Sequence, residues 1–150
     1  MRATERKVWR KLQLAASALV PTLALLADVH SDTVAVFANM AAALADSNVS
    51  EFMKPSDKEM PGYDTLKAEI ASLITQYQVS SSIEPMKEEG DDSKRSVDLD
   101  WYLQIRSQLD NGPITVRRKV IHCELRKEGK HWQIVSLQPI DFFAPAKVEK

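Results

Sequence analysis

In residues 96–108, SVDLDWYLQIRSQ, polar and apolar side chains alternate without a break from Ser96 to Arg106. Val97, Leu99, Trp101, Leu103 and Ile105 fall on one side, and Asp98, Asp100, Tyr102, Gln104 and Arg106 on the other. A period of two sustained this long describes a strand with one dry and one wet face, which a helix cannot reproduce. Five large apolar side chains in a row need a second layer to cover them. The chain has 150 residues, enough for one sizeable core and too few for two.

That cover is patterned ahead of the strand. Ser31 or Asp32 is placed to cap a helix running to about Asp46, with Val34, Phe37, Met40, Ala41 and Leu44 at helical spacing. A short helical turn follows over Val49 to Met53, then the loop KPSDKEMPGYD. Asp64 opens a second full helix whose apolar face is Leu66, Ile70, Leu73, Ile74 and Tyr77. Four extended segments come next, at about 78–88, 94–109, 113–127 and 131–141, joined by EGDD, DNGP and KEGK, each with a glycine suited to a hairpin. Helices first and an antiparallel meander afterwards predict an α+β domain, with N-terminal helices packed on a strongly bent antiparallel sheet of about four strands. In the third segment the apolar phase moves from Ile114 and Val116 to Ile121, Cys123 and Leu125, which predicts a β-bulge across RRKV. A strict two-residue turn at Asn111 and Gly112 would set Trp101 opposite His122. Burial favours a one-residue slip, with Leu99 opposite Leu125, Trp101 opposite Cys123 and Leu103 opposite Ile121. On the wet side this sets Asp98 opposite Arg126, Asp100 opposite Glu124, Tyr102 opposite His122 and Arg106 opposite Arg118.

The first 27 residues follow a different logic. Arg2, Arg6, Lys7, Arg10 and Lys11 precede the uncharged 16-residue run LQLAASALVPTLALLA. This is the layout of a secretory signal with Ala27 at the cut, and it predicts an exported chain of periplasmic or extracellular location. The run is shorter than the roughly 20 residues of a spanning helix, and Pro21 interrupts it, so no stable membrane span is expected after cleavage. The domain is expected over 28–144, with 145–150 as a tail. Losing the segment removes five basic residues and one acidic one, leaving 15 basic against 20 acidic, net −5. That balance argues against a nucleic-acid partner, which needs Lys and Arg against phosphates. The single Cys123 can form no internal disulfide.

The element order, MPGYDTLKAEIASLI, VSSSIE and the closing GKHWQIVSLQPIDFF together resemble the nuclear-transport-factor-2-like superfamily, in particular its uncharacterised exported bacterial members. The resemblance spans about residues 32–144. It implies a cone of helices against a bent sheet, with a pocket on the concave side and subunit pairing on the convex side. It leaves activity open, because the superfamily holds isomerases, dehydratases, polyketide cyclases and members with no chemistry.

An enzyme of that kind needs an ionisable group inside the apolar cone, where desolvation shifts its pKa. Asp100, His122 and Glu124 are the catalytic alternatives, yet they share the wet side with Arg106, Arg118 and Arg126 and fit a salt-bridge lattice. His122-x-Glu124 with Asp100 could chelate a metal, but the spacing is common, and no metal site or cofactor is expected. Ser80, Ser81 and Ser82 have no neighbouring histidine, and no glycine-rich phosphate loop exists. The expectation is a non-catalytic binding or interaction domain, forming a homodimer, that buries a small apolar ligand or peptide against Tyr63, Tyr77, Trp101, Leu103 and Cys123. The alternative is an isomerase, dehydratase or cyclase using pocket carboxylates.

Overall fold

The computed structural model describes residues 29–109 and 112–145. The signal-like segment and its cut at Ala27, the turn residue Asn111 and the tail from 146 lie outside them. Helix α1 covers residues 29–45, so Ser31 and Asp32 lie within the helix and do not cap it. Its buried stripe is Thr33, Phe37, Met40, Ala43 and Leu44, turned slightly from the expected one so that Val34 and Ala41 are half-buried. Helix α2 (Val49–Met53) is capped by Asn48, whose side chain accepts from the Glu51 amide at 3.1 Å. Helix α3 (Tyr63–Gln76) starts at Gly62, held at φ +78°, and buries Leu66, Ile70, Leu73 and Ile74. Tyr77 does not extend that helical face. It is already extended and begins strand β1.

The strands β1 (Tyr77–Gly90), β2 (Lys94–Ser107), β3 (Ile114–Glu128) and β4 (His131–Gln138) form one curved antiparallel meander in the order β1-β2-β3-β4, and a 3-10 turn (Ile140–Phe143) follows. The last expected strand stops short of 141 because Pro139 has no N–H to offer the ladder. The free edge of β4 is covered by the loop after α2: the Ile134 amide donates to Pro55 O at 2.7 Å, and the Asp57 amide donates to Ile134 O at 2.8 Å.

The faces fall as the alternation requires. Val97, Leu99, Trp101, Leu103 and Ile105 are all buried, as are Ile121, Cys123 and Leu125. The register differs from the expected one by four residues along β3. Leu99 is opposite Ile121, Val97 opposite Cys123, Arg95 opposite Leu125 and Trp101 opposite Lys119. The physical reason is the connection from Ser107 to Ile114, which is longer than any tight turn at Asn111 and Gly112. A slip of four preserves which side is buried, so burial alone cannot detect it. No bulge interrupts β3 against β2 either: the pairing runs unbroken from Arg106–Ile114 to Lys94–Arg126. The apolar phase changes because Ile114, Val116 and Val120 point outward and stay about half exposed, while Arg117 and Lys119 take the inward positions. The bulges lie elsewhere, at Pro85/Lys87 in β1 and between β3 and β4 at Glu124/Leu125.

Candidate functional site

The inner row converges on Trp101, which is fully buried. Phe143, from the 3-10 turn, meets its indole edge-on at 4.9 Å between centroids, and Phe52, from α2, lies at 6.4 Å. Phe52 and Phe143 touch each other at 5.8 Å, and Phe142 stacks edge-on behind Phe143 at 5.1 Å. These separations and angles are the edge-to-face arrangements that aromatic quadrupoles favour. The indole N–H donates to Ser81 Oγ on β1 at 2.7 Å, so the polar atom of the tryptophan is satisfied inside the cone.

Two groups of charges flank this aromatic cluster on the inner side. Glu88 on β1 and Arg95 on β2 form an ion pair at 2.8 Å, each side chain only 11% exposed, and Thr33 of α1 donates to the same carboxylate oxygen at 3.0 Å. The other group surrounds Arg117, which donates to the carbonyls of Phe142 (2.9 Å) and Ala144 (2.5 Å) and so ties the closing turn down over β3. Glu69 of α3 is near this guanidinium. Its Oε2 is buried with no hydrogen-bond partner among the described residues. Burial, then the negative charge of Asp141, push the Glu69 carboxyl above the ordinary range, partly opposed by Arg117. Neither group stands out in sequence, because each joins residues far apart in the chain. The available signal for Arg117 was its odd number, in phase with Ile121, Cys123 and Leu125.

The outer face carries the expected charged residues with other partners. Asp98 is opposite His122, not Arg126, and its carboxylate lies 2.6 Å from His122 Nδ1. Asp100 is opposite Val120, not Glu124, and receives Arg118 through Nε and the terminal nitrogen at 2.9 and 2.5 Å. Those hydrogen bonds lower the Asp100 pKa. Tyr102 is opposite Arg118 and Arg106 opposite Ile114, which corrects the remaining two pairs. His122 Nε2 lies 3.3 Å from Ser96 Oγ and 3.9 Å from Glu124. A Ser–His–Asp order of this kind occurs in nucleophilic hydrolases, where an oxyanion hole completes it. Here Ser96 and Asp98 are on β2, an interior strand, and His122 is on the stretch of β3 that β4 also pairs. The surrounding amides are committed to ladders on both sides, and His122 is about half exposed to water. A shallow depression of about 580 Å3 beside it is lined by Lys94, Ser96, Glu124, Arg126 and Val135.

The expected ligand-binding residues do not form one group. Trp101, Leu103 and Cys123 are fully buried in the core, and burial raises the Cys123 thiol pKa strongly, with Asp98 adding to the shift. Tyr77 is half-buried at the head of β1, opposite Ser107. Tyr63 lies at the start of α3 and lines a separate depression with residues of α2.

No protein-family model matches the chain, and no curated protein matches it. Solved structures do. A protein of Novosphingobium aromaticivorans assigned as a scytalone dehydratase is similar at a TM-score of 0.69 and 10% identity, over 77% of this chain and 85% of its own. A nuclear transport factor 2-like superfamily protein of Salmonella enterica serovar Typhimurium matches at 0.63 and 12% identity, over 83% and 96%. A type 2 hexachlorocyclohexane dehydrochlorinase matches at 0.60 and 9% identity, over 75% and 83%. These neighbours include named enzymes and a protein named by its superfamily alone, so the likeness speaks to architecture and leaves activity open. With its helices, its curved four-stranded meander and its buried concave row, this chain has the nuclear-transport-factor-2-like fold.

Proposed function

We propose that this chain is an exported, non-catalytic interaction domain that pairs with a second copy through the outer face of its sheet. The observation that carries the reading is the division of chemistry between the faces. Asp98, His122 and Glu124 lie outside beside one another and Asp100 pairs there with Arg118, while the concave row is covered by Phe52 and Phe143. An apolar ligand in the cone would have to displace those rings. The outer face offers Ile114, Val116 and Val120, each about half exposed, with half-buried Tyr102 among them and charges of both signs around them. Such a surface can complement a second copy of itself, its exposed apolar side chains meeting across a two-fold axis within a rim of charges. Sedimentation equilibrium tests the pairing. A dimer at micromolar concentration that becomes a folded monomer in V116D/V120D supports it; a monomeric wild-type chain, or a dimer indifferent to both substitutions, overturns it.

One observation favours a second reading, an enzyme of the isomerase, dehydratase or cyclase kind. Glu69 combines a raised pKa, a buried unpartnered oxygen and a nearby guanidinium, which are attributes of a general acid or base. Under that reading, turnover of any such substrate disappears in E69Q and survives in D100N. Turnover lost in D100N and retained in E69Q would remove it.

A further inference from the structure

We propose that the depression between α2, the loop after it and the start of α3 is a binding site for a tetrahedral oxyanion, specifically the phosphate group of a small soluble ligand. The depression measures about 430 Å3, and Lys54, Lys58 and Lys67 line it together with Ser50, Tyr63 and a single carboxylate, Glu51. No ion pair joins any of the three lysines to an acidic side chain among the described residues. The nearby Asp57 is already engaged, accepting from the Glu59 amide at 2.9 Å and pairing with Arg126 at 3.3 Å. Three lysines outside any ion pair thus line one concavity on a domain whose residues 28–150 carry net −5. Lysines spread for solubility have no reason to share one concavity.

A second, independent observation comes from Ser56, which also lines the depression. It is 4% exposed, and its Oγ is buried without a hydrogen-bond partner. A buried hydroxyl left unpaired costs free energy, and a side-chain rotation that turns it toward the depression would let it donate to an oxygen of a bound anion. Helix α3 adds to the same field. It is 14 residues long and Gly62 provides no side-chain cap, so its positive end, offset in part by Asp64 in the first turn, lies beside this region. The inventory is therefore rich in donors and poor in acceptors: three ammonium groups, the Tyr63 phenol and the Ser50 and Ser56 hydroxyls against Glu51. A carboxylate ligand could use only part of it. A phosphate monoester, with up to two negative charges and three acceptor oxygens, uses most of it. The volume leaves space beside the phosphate for an organic group of modest size.

The test is calorimetric titration of the full-length protein with inorganic phosphate, with sodium chloride at equal ionic strength as the reference. Saturable phosphate binding, weakened about tenfold or more in K54Q/K58Q/K67Q and several-fold in S56A, supports the site. Both variants are first checked for an unchanged circular dichroism spectrum, and Y63F, which retains the ring, gives a third, milder arm with a loss of a few fold. Heat that chloride reproduces, or a triple variant that binds as tightly as wild type, overturns it. Vesicles of phosphatidylcholine with and without phosphatidic acid separate the sources of phosphate. Binding confined to phosphatidic acid vesicles, with none to free phosphate, would overturn the assignment to a soluble ligand.

Discussion

Replacing Trp101 with alanine removes the centre of the concave face. The side chain is fully buried and packs edge-on against Phe143 and at a tilt against Phe52, and its N–H is bonded to Ser81. Truncating a buried tryptophan to alanine costs about 3–5 kcal/mol through lost transfer energy and the cavity left behind. Each aromatic pair contributes about 0.5–1.5 kcal/mol beyond its area. The Ser81 hydroxyl belongs to a half-buried residue, so water can replace the indole and only about 1 kcal/mol is added by that bond. Domains of this size have about 5–15 kcal/mol in total, so W101A is expected to lower the urea midpoint sharply at unchanged slope, and a chain at the low end of that range will not fold. W101F retains a ring and forfeits the N–H, and it should fall between the two. The cavity in W101A would be apolar and enclosed, so indole should raise the variant's melting temperature and leave the wild type unmoved. A loss below about 1 kcal/mol in W101A, or equal stabilisation of both proteins by indole, would refute the claim that the molecule fills its own cone.

Four further outcomes follow from the same geometry. Because the Glu69 pKa is raised above its unfolded value of 4.5, ionising it in the folded state is unfavourable, and its cost to stability is absent below the unfolded pKa, grows as pH rises toward the folded one and is constant above it. Urea titrations should therefore show E69Q gaining on wild type from pH 4 to pH 7; a difference independent of pH would contradict the burial of that carboxyl. Arg117→Met leaves the carbonyls of Phe142 and Ala144 without their donor and is expected to cost about 1.5–3 kcal/mol, read by denaturant unfolding, with a cost near zero contradicting the tie. Gly62→Ala forces a side chain into a φ of +78°, with its Cβ against the end of the Ile140 side chain, and a melting temperature lowered by several degrees is expected, an unchanged one being the contrary result. Export is tested by N-terminal sequencing of the protein recovered from cells, where a start near Asp28 is expected and an intact Met1 counts against cleavage.

What could be read from sequence was whatever burial decides locally. The alternation from Val97 to Ile105 separates the two faces of β2 because five apolar residues cannot all be left wet, and the glycine-containing joints mark the meander correctly. The partners across the sheet could not be read, since any even slip keeps the same faces and the length of the Ser107 to Ile114 connection is not written in the Asn-Gly pair. That one difference turned Asp98 from an expected partner of Arg126 into the partner of His122, and it hid the link from His122 to Ser96. In the first half of β3 the apolar phase of Ile114 and Val116 points to the core. Ile114, Val116 and Val120 instead lie outside, and Arg117 and Lys119 occupy the inward positions. The features described at Glu69 and Ser56 depend on what surrounds one side chain in three dimensions, and no local pattern announces that.

The indole of Trp101 lies inside and its chain neighbour Tyr102 on the face proposed to pair copies, so oxidative footprinting of these two adjacent residues tests the sealed interior and the pairing most directly. Hydroxyl radicals should leave Trp101 unmodified in both wild type and the V116D/V120D monomer, while Tyr102 is protected in wild type and modified in the monomer. Rapid oxidation of Trp101 in the folded wild-type chain would contradict the sealed interior, and equal modification of Tyr102 in both proteins would contradict the paired outer face.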